Sequence, residues 1–105
     1  MSAYTAVTVT LTTGSTNYQL ITLLRAIAAD TPGEARSVLI EADSANAAGS
    51  RISIGDASLS GTRYGFQLGP GDARLYSDSD ALVRLGALHA RGSTDGLKLN
   101  VEVMR

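Results

Sequence analysis

The sequence predicts a mainly β protein: an antiparallel β-sandwich or jelly-roll-like barrel with one short helix at about residues 17–29. Short segments rich in β-branched residues recur along the chain, turns bearing Gly and Asp separate them, and only one stretch has helical periodicity. A parallel α/β sheet would require repeated crossover helices, which this pattern lacks. Because 105 residues suffice for one core, we expect residues 1–105 to form a single β-sandwich domain.

The strands are predicted from alternation and from apolar runs. Val7, Val9 and Leu11 alternate with threonines, which predicts a half-exposed strand at residues 4–12. Six further β segments are predicted at residues 36–42, 51–55, 64–68, 73–77, 85–91 and 97–104.

Two of these segments differ in pattern. Residues 37–40 are mostly apolar at consecutive positions, which predicts a central strand buried on both faces. Residues 97–104 alternate cleanly between apolar and polar, which predicts a half-exposed strand.

One segment favours a helix. Thr16 and Gln19 have the spacing of a capping box, in which each side chain bonds to a free backbone N–H, so a helix is expected to begin near Asn17. Apolar residues then recur at helical spacing, and Asp-Thr-Pro-Gly at residues 30–33 supplies a stop. The predicted apolar stripe consists of Leu20, Ile21, Leu24, Ile27 and Ala28.

Composition narrows the functional classes. Nine basic and ten acidic residues give a net charge of -1, and no run of Lys or Arg occurs, which argues against direct DNA or RNA binding. The chain has no Cys, so disulfides, thiolate metal sites and thiol nucleophiles are excluded. No apolar run approaches the roughly 20 residues of a membrane span, and the first ten residues do not form a signal sequence. We therefore expect synthesis in the cytoplasm and no membrane partner.

The core is expected to be aliphatic and thin. Hydrophobic residues make up 44% of the chain, but it has only one Phe, four Tyr and no Trp. Association of copies would help to stabilise such a core, so we expect a homo-oligomer, either a trimer or a dimer.

Few residues could carry catalysis or bind a metal. His89 is the only His and would have to serve any Ser-His-carboxylate triad, but the chain has no G-x-S-x-G turn. Asp78 and Asp80 could offer oxygen ligands to a hard cation, yet the Gly and Glu of a calcium loop do not follow, so capping is the favoured role. We expect no enzyme, no catalytic residue, no cofactor and no metal.

Residues 69–72, Gly-Pro-Gly-Asp, are predicted to form a β-turn. Pro70 fixes one backbone angle and a glycine accepts a positive one. A phosphate loop is disfavoured, because no Lys-Ser/Thr follows and no helix is predicted to begin there.

The aromatic residues Tyr64, Phe66 and Tyr76 leave two alternatives. They could form an exposed strip for stacking on sugars, or they could pack in the core. Strand alternation would place Tyr64 and Phe66 together on one face, and the core is the favoured location.

Residues 51–76, RISIGDASLSGTRYGFQLGPGDARLY, resemble small β-sandwich virion proteins of tailed bacteriophages. The resemblance lies in the order Ile-Gly-Asp, a Ser/Thr-rich turn, Tyr-Gly-Phe, the Gly-Pro-Gly-Asp turn and Arg-Leu-Tyr. Residues 18–24 and 75–85 look like the version found in podovirus-type phages, so the resemblance extends over most of the chain.

The resemblance implies a noncatalytic structural protein of the virion. Within that group it favours a head cement or decoration protein, located on the outer capsid surface, that binds the major capsid protein and stabilises the mature shell. Residues 2–10, 43–50 and 69–72 are predicted to contact the capsid lattice, because we expect them to be exposed. Residues 43–50 are small and polar, which predicts a mobile loop tip.

Two alternatives stay open. The first is a tail, neck or baseplate component of the same fold. The second is a carbohydrate- or receptor-binding module, which requires Tyr64, Phe66 or Tyr76 to be exposed on one face.

Overall fold

The computed structural model describes residues 4–60, 62–77 and 81–104. These residues form two four-stranded antiparallel sheets, a two-stranded ribbon and one α-helix, which confirms the predicted mainly β fold with one short helix. The elements are β1 (Tyr4–Leu11), β2 (Asn17–Gln19), α1 (Leu20–Ile27), β3 (Glu34–Ala35), β4 (Ser37–Ala42), β5 (Ile52–Gly55), β6 (Phe66–Leu68), β7 (Ala73–Ser77), β8 (Val83–Arg84), a one-turn 3-10 helix (Leu85–Ala87), β9 (His89–Gly92) and β10 (Leu97–Met104).

The two large sheets enclose the core. Sheet A has the strand order β1-β10-β4-β7, and sheet B has the order β2-β9-β5-β6. The ribbon pairs β3 with β8. Strands β6 and β7 are therefore edge strands of different sheets, and a short turn connects them.

Strand β10 forms the middle of sheet A. It pairs with β1 along eight residues and with β4 along six. Its exposure alternates along its length, which confirms the prediction for residues 97–104. The inward side chains are aliphatic, so the sandwich is filled without a fully buried aromatic ring among the described residues. The largest fully buried side chains are Leu11, Leu20, Leu24, Ile40, Ile52, Ile54, Leu85, Leu99, Val9, Val38, Val101 and Val103.

Strand β4 is central in sheet A, as predicted, but it is not buried on both faces. Val38, Ile40 and Ala42 are buried, while the alternating residues are only half-buried. An antiparallel sheet commonly packs one face on the core and leaves the other open to solvent, and sheet A follows this rule.

The predicted capping box is wrong. The helix begins at Leu20, and Asn17–Gln19 form a strand that pairs with β9. Gln19 takes the cap position without a side-chain cap, and the Leu20 N–H donates to the carbonyl of Leu88 at 2.9 Å. Pairing with a neighbouring strand therefore fixes the start of the helix, and it overrides the local capping signal.

The helix buries a narrower face than predicted. Leu20, Ile21 and Leu24 are buried, whereas Ile27 is 63% exposed. The helix ends at Ile27, and the Ala28 N–H closes the last turn on the carbonyl of Leu24 at 2.8 Å.

The strand predicted at residues 85–91 is confirmed only from His89, because Leu85–Ala87 form a one-turn helix before β9 begins. The Leu85 N–H donates to Gly33 O at 2.9 Å, and the Leu88 N–H closes the turn on Leu85 O at 3.1 Å. Leu85 is fully buried, so the turn inserts one leucine into the core before β9 begins.

Truncating α1 at a buried and at an exposed position tests this packing. Leu24→Ala is expected to lower the free energy of unfolding by about 2–5 kcal/mol, because it removes buried methyl groups and leaves a cavity. Ile27→Ala is the matched control and is expected to change little, since Ile27 is 63% exposed and Ala favours a helix. Urea unfolding followed by circular dichroism measures both values. Equal losses from the two variants would contradict the orientation of the helix.

Candidate functional site

Two of the predicted contact segments lie at one end of the sandwich, which we call the loop end. It is formed by residues 43–50, 69–72 and 93–96. Strand β5 begins at this end. The Arg51 N–H, directly before the strand, donates to Ser93 Oγ at 2.9 Å and joins it to residues 93–96.

The opposite end of the sandwich carries residues 56–60 and 62–65, and we call it the Tyr64 end. Strand β5 finishes there, with Gly55 opposite His89 in β9. The two ends therefore face in opposite directions along β5.

The turn at residues 69–72 has the geometry that the sequence predicts. The Asp72 N–H donates to Gly69 O at 2.9 Å, and Gly71 has a φ of 84°. In a type II turn, Pro is common at the second position and the third residue has a positive φ, as Pro70 and Gly71 do here. The Gly69 N–H also donates to Asp72 Oδ2 at 2.9 Å, so a side-chain bond holds the turn a second time.

This turn lies against the start of residues 43–50. The Ala42 N–H donates to Asp72 O at 2.9 Å, and the Gly71 N–H donates to Ala42 O at 2.8 Å. A Cβ added to Gly71 would lie 4.0 Å from Ser44 Cβ. The two segments therefore form one continuous surface.

Residues 43–50 are exposed over most of their length, and hydrogen bonds anchor them to β10. Asn46 Nδ2 donates to Lys98 O at 3.0 Å, and the Lys98 N–H donates to Asn46 Oδ1 at 2.9 Å. The Asp43 N–H also donates to Lys98 O, at 3.1 Å. The Asn46 side chain thus pairs with β10 as a strand residue would, which fixes the shape of the loop.

The third predicted contact segment, residues 2–10, lies elsewhere. Its residues 2 and 3 lie outside the described residues, and the rest belongs to β1 at the edge of sheet A opposite β7. On the outer face, Thr8 Oγ1 donates to Asn100 Oδ1 at 2.8 Å, and Asn100 Nδ2 donates to Glu41 Oε1 at 3.0 Å. This polar row crosses β1, β10 and β4 on the outer face of sheet A.

Of the residues considered for catalysis or metal binding, the structure describes only His89. His89 is half-buried in β9, while Asp78 and Asp80 lie outside the described residues. Within residues 4–60, 62–77 and 81–104, no group of three or more His, Asp or Glu is placed to hold a metal ion.

Phe66 and Tyr76 close the open edge of the sandwich. They lie on edge strands of different sheets, their ring centroids are 5.6 Å apart, and both pack against the core. The Arg74 guanidinium lies 4.7 Å from the centroid of Phe66, a cation–π contact. Burial raises the pKa of the Tyr76 hydroxyl above its usual value. Phe66 and Tyr76 are therefore half-buried at the margin of the core and not inside it.

Tyr64 is different, and the prediction that it shares a face with Phe66 is wrong. It precedes β6 instead of belonging to it, and it is 46% exposed. Tyr64 lines a shallow depression of about 240 Å³ together with Gly55, Asp56, Arg63 and Gly65.

A hydrogen-bonded chain fixes the charged groups of this depression. The Ser58 N–H and Oγ both donate to Asp56 Oδ1, at 2.9 and 2.5 Å. Ser58 Oγ in turn accepts a bond from Arg63 Nε at 2.7 Å. These bonds hold the pKa of the Asp56 carboxyl below its usual value, first through the Ser58 hydroxyl and then through the Ser58 backbone, and Arg63 adds to the effect.

The loop at the Tyr64 end is attached to the sandwich at several points. Leu59 is buried, and Asn17 Nδ2 donates to the carbonyls of Ala57 and Leu59 at 3.3 and 3.5 Å. The Gly65 N–H donates to Ile54 O at 2.8 Å. The amide nitrogen of Asn17 faces the loop, and among the described residues the buried Asn17 Oδ1 has no hydrogen-bond partner.

The sequence analysis did not find this depression. Asp-Ala-Ser at residues 56–58 is a local signal, since an Asp side chain often accepts a bond from the backbone two residues later. The contact of Arg63 with Ser58 depends on how the whole loop closes, and no short motif encodes it.

Comparison of the chain with known protein families, curated proteins and solved structures finds no match. Among the described residues, no helix combines the length and the apolar character needed to cross a membrane.

The Asp56 network can be tested by titration. Ser58→Ala is expected to raise the pKa of Asp56 toward 3.8, because it removes the strongest bond to the carboxylate. With a folded-state pKa below the unfolded value, this network stabilises the protein above the unfolded pKa, and the stabilisation is lost as the pH falls through the folded pKa. NMR titration of the Asp56 carboxyl carbon measures the shift, with Ser44→Ala at the loop end as the control. An unchanged Asp56 pKa in Ser58→Ala would contradict the network.

Proposed function

We propose that the protein is a noncatalytic structural component of a bacteriophage virion, a cement or decoration protein that binds the major capsid protein on the outer surface of the mature head. The observation that carries the proposal is the loop end. Residues 43–50 and 69–72, both proposed as capsid contacts, form one surface held by the backbone bonds between Ala42, Gly71 and Asp72.

The loop end is suited to docking because its shape is fixed before binding. Asn46 and Asp72 each lock a loop through side-chain bonds to the backbone. Fixed loops lose little conformational entropy on binding, so more of the contact energy becomes affinity. The small side chains of residues 43–50 also allow the backbone to approach a partner closely.

The mechanism is stabilisation by mass action. A module that binds the assembled shell and not its separated subunits lowers the free energy of the shell. Many copies act together, so weak individual contacts are sufficient. No chemical step is required of the protein.

The free edge of β7 supports the proposed self-association. Among the described residues, no strand pairs with its outer edge. The Ala42 N–H donates to Asp72 O, and in an antiparallel pair every second residue forms the backbone bonds to the neighbouring strand. Arg74 and Tyr76 therefore bond to β4 through their backbone. The backbone N–H and C=O of Leu75 point away from β4, toward the free edge.

The outer face of this edge is uncharged. Ala73, Leu75 and Ser77 share that face, and Leu75 is 55% exposed. Natural edge strands are usually blocked by charge, proline or a bulge, and β7 turns its only charged side chain, Arg74, inward onto Phe66. We propose that β7 pairs with a second copy in the homo-oligomer.

Copy number tests the head location. Quantitative mass spectrometry of purified particles is expected to find this chain in near-stoichiometric ratio to the major shell protein. A few copies per particle would instead favour the alternative, a tail, neck or baseplate component of the same fold. Absence from particles would contradict both versions of the virion proposal.

The edge contact can be tested in solution. Leu75→Lys is expected to shift the protein from an oligomer toward a monomer, because a lysine on an edge strand opposes strand pairing. Light scattering coupled to size exclusion measures the mass. The matched control is Leu82→Lys, since Leu82 is 50% exposed but precedes β8. A wild-type protein that is monomeric at every concentration, or a Leu75→Lys oligomer, would contradict pairing through β7.

A further inference from the structure

The depression at the Tyr64 end combines three kinds of recognition group. Asp56 offers carboxylate oxygens, which only accept hydrogen bonds, and Arg63 offers guanidinium N–H groups, which only donate. Tyr64 adds a partly exposed aromatic side chain with a hydroxyl. All three line the same hollow of about 240 Å³.

These groups are held in place before any ligand arrives. Ser58 donates hydrogen bonds to Asp56 Oδ1 and accepts one from Arg63 Nε. These bonds hold both side chains in place. No bond to the second carboxylate oxygen or to the terminal guanidinium nitrogens of Arg63 is found within the described residues. A ligand can therefore still donate a hydrogen bond to Asp56 and accept hydrogen bonds from Arg63.

The charges of the hollow select a neutral ligand. An anion would meet the ionised Asp56, and a cation would meet Arg63. A molecule with hydroxyl groups can donate to the carboxylate and accept from the guanidinium at the same time. The other two residues that line the hollow are Gly55 and Gly65, which have no side chains.

We propose that this depression binds a neutral saccharide, with one sugar ring stacked on Tyr64 and its hydroxyl groups bonded to Asp56 and Arg63. The aliphatic C–H face of a sugar ring is apolar, and it matches the negative face of an aromatic ring. The volume is below the roughly 300–1,000 Å³ of drug-sized ligand pockets, so a single ring or the end of a chain fits.

The location leaves the ligand accessible while the loop end is occupied. Residues 43–50 and 69–72 lie at the start of β5, and Tyr64 lies beyond its other end. The saccharide proposal does not rest on the virion proposal, since it concerns groups that the capsid contact does not use.

The test uses the full chain, fluorescently labelled, on an array printed with neutral oligosaccharides of hexoses and N-acetylhexosamines beside sulfated and sialylated ones. Binding to at least one neutral class is expected. The bound sugar is then titrated by NMR, where a dissociation constant of about 1 mM is expected for so small a contact.

Tyr64→Ala is expected to weaken binding at least about tenfold, equivalent to about 1.4 kcal/mol. Tyr64→Phe keeps the ring and is expected to retain most of the affinity. Asp56→Asn and Arg63→Gln are each expected to weaken binding, because each removes a charge-assisted bond. Leu82→Ala is the control for truncating an exposed side chain elsewhere.

Three results would overturn the proposal: no binding to any neutral saccharide, binding to anionic probes only, or an affinity unchanged by Tyr64→Ala. Thermal unfolding of each variant shows whether a loss of binding reflects a loss of fold. If Tyr64→Ala were less stable than wild type, two other variants would decide the outcome. The proposal then requires that Tyr64→Phe retains most of the affinity and that Arg63→Gln weakens binding. Because the assay needs no particle, its result is independent of the copy number measured on virions.

Discussion

The pairing of β10 with both β1 and β4 is the interaction on which the rest of the structure depends. It joins three strands along their full length and turns alternate aliphatic side chains of all three toward the core. The chain has no tryptophan and one phenylalanine, and among the described side chains no aromatic ring is fully buried. Many alternating Val, Leu and Ile side chains fill the core instead. The pairing register of the strands must therefore be exact, because a shift by one residue would turn these side chains to the solvent face.

This arrangement leaves the few aromatic and polar side chains for the periphery. Phe66 and Tyr76 close the gap between the edge strands of the two sheets. The loops at either end are then held by polar side chains, Asn46 at the loop end and Asn17 at the Tyr64 end. A regular scaffold with two separately fixed ends is suited to docking through one end and presenting the other, and this division connects the two proposals.

Sequence patterns predicted those parts of the structure that local rules determine. The alternation in β1 and β10 and the turn at residues 69–72 are confirmed, because backbone preference and side-chain periodicity act within a few residues. The predicted start of the helix is wrong, because Asn17–Gln19 pair with a strand more than 60 residues away in the sequence. The prediction for Tyr64 is wrong because the pairing of β6 with β5 ends at Phe66, so that Tyr64 lies outside the sheet. The depression joins residues through Ser58, a contact that no spacing rule indicates.

The central claim, that the loop end meets the capsid, can be measured at one residue. Lys98 is the only lysine of the chain, it is exposed, and its backbone bonds to Asn46 in the loop. An amine-reactive ester applied to free protein, to intact particles and to denatured particles would quantify its accessibility by mass spectrometry. The account predicts that Lys98 is labelled in the free and denatured samples and protected on intact particles. Equal labelling of Lys98 on intact particles and in free protein would contradict docking through the loop end.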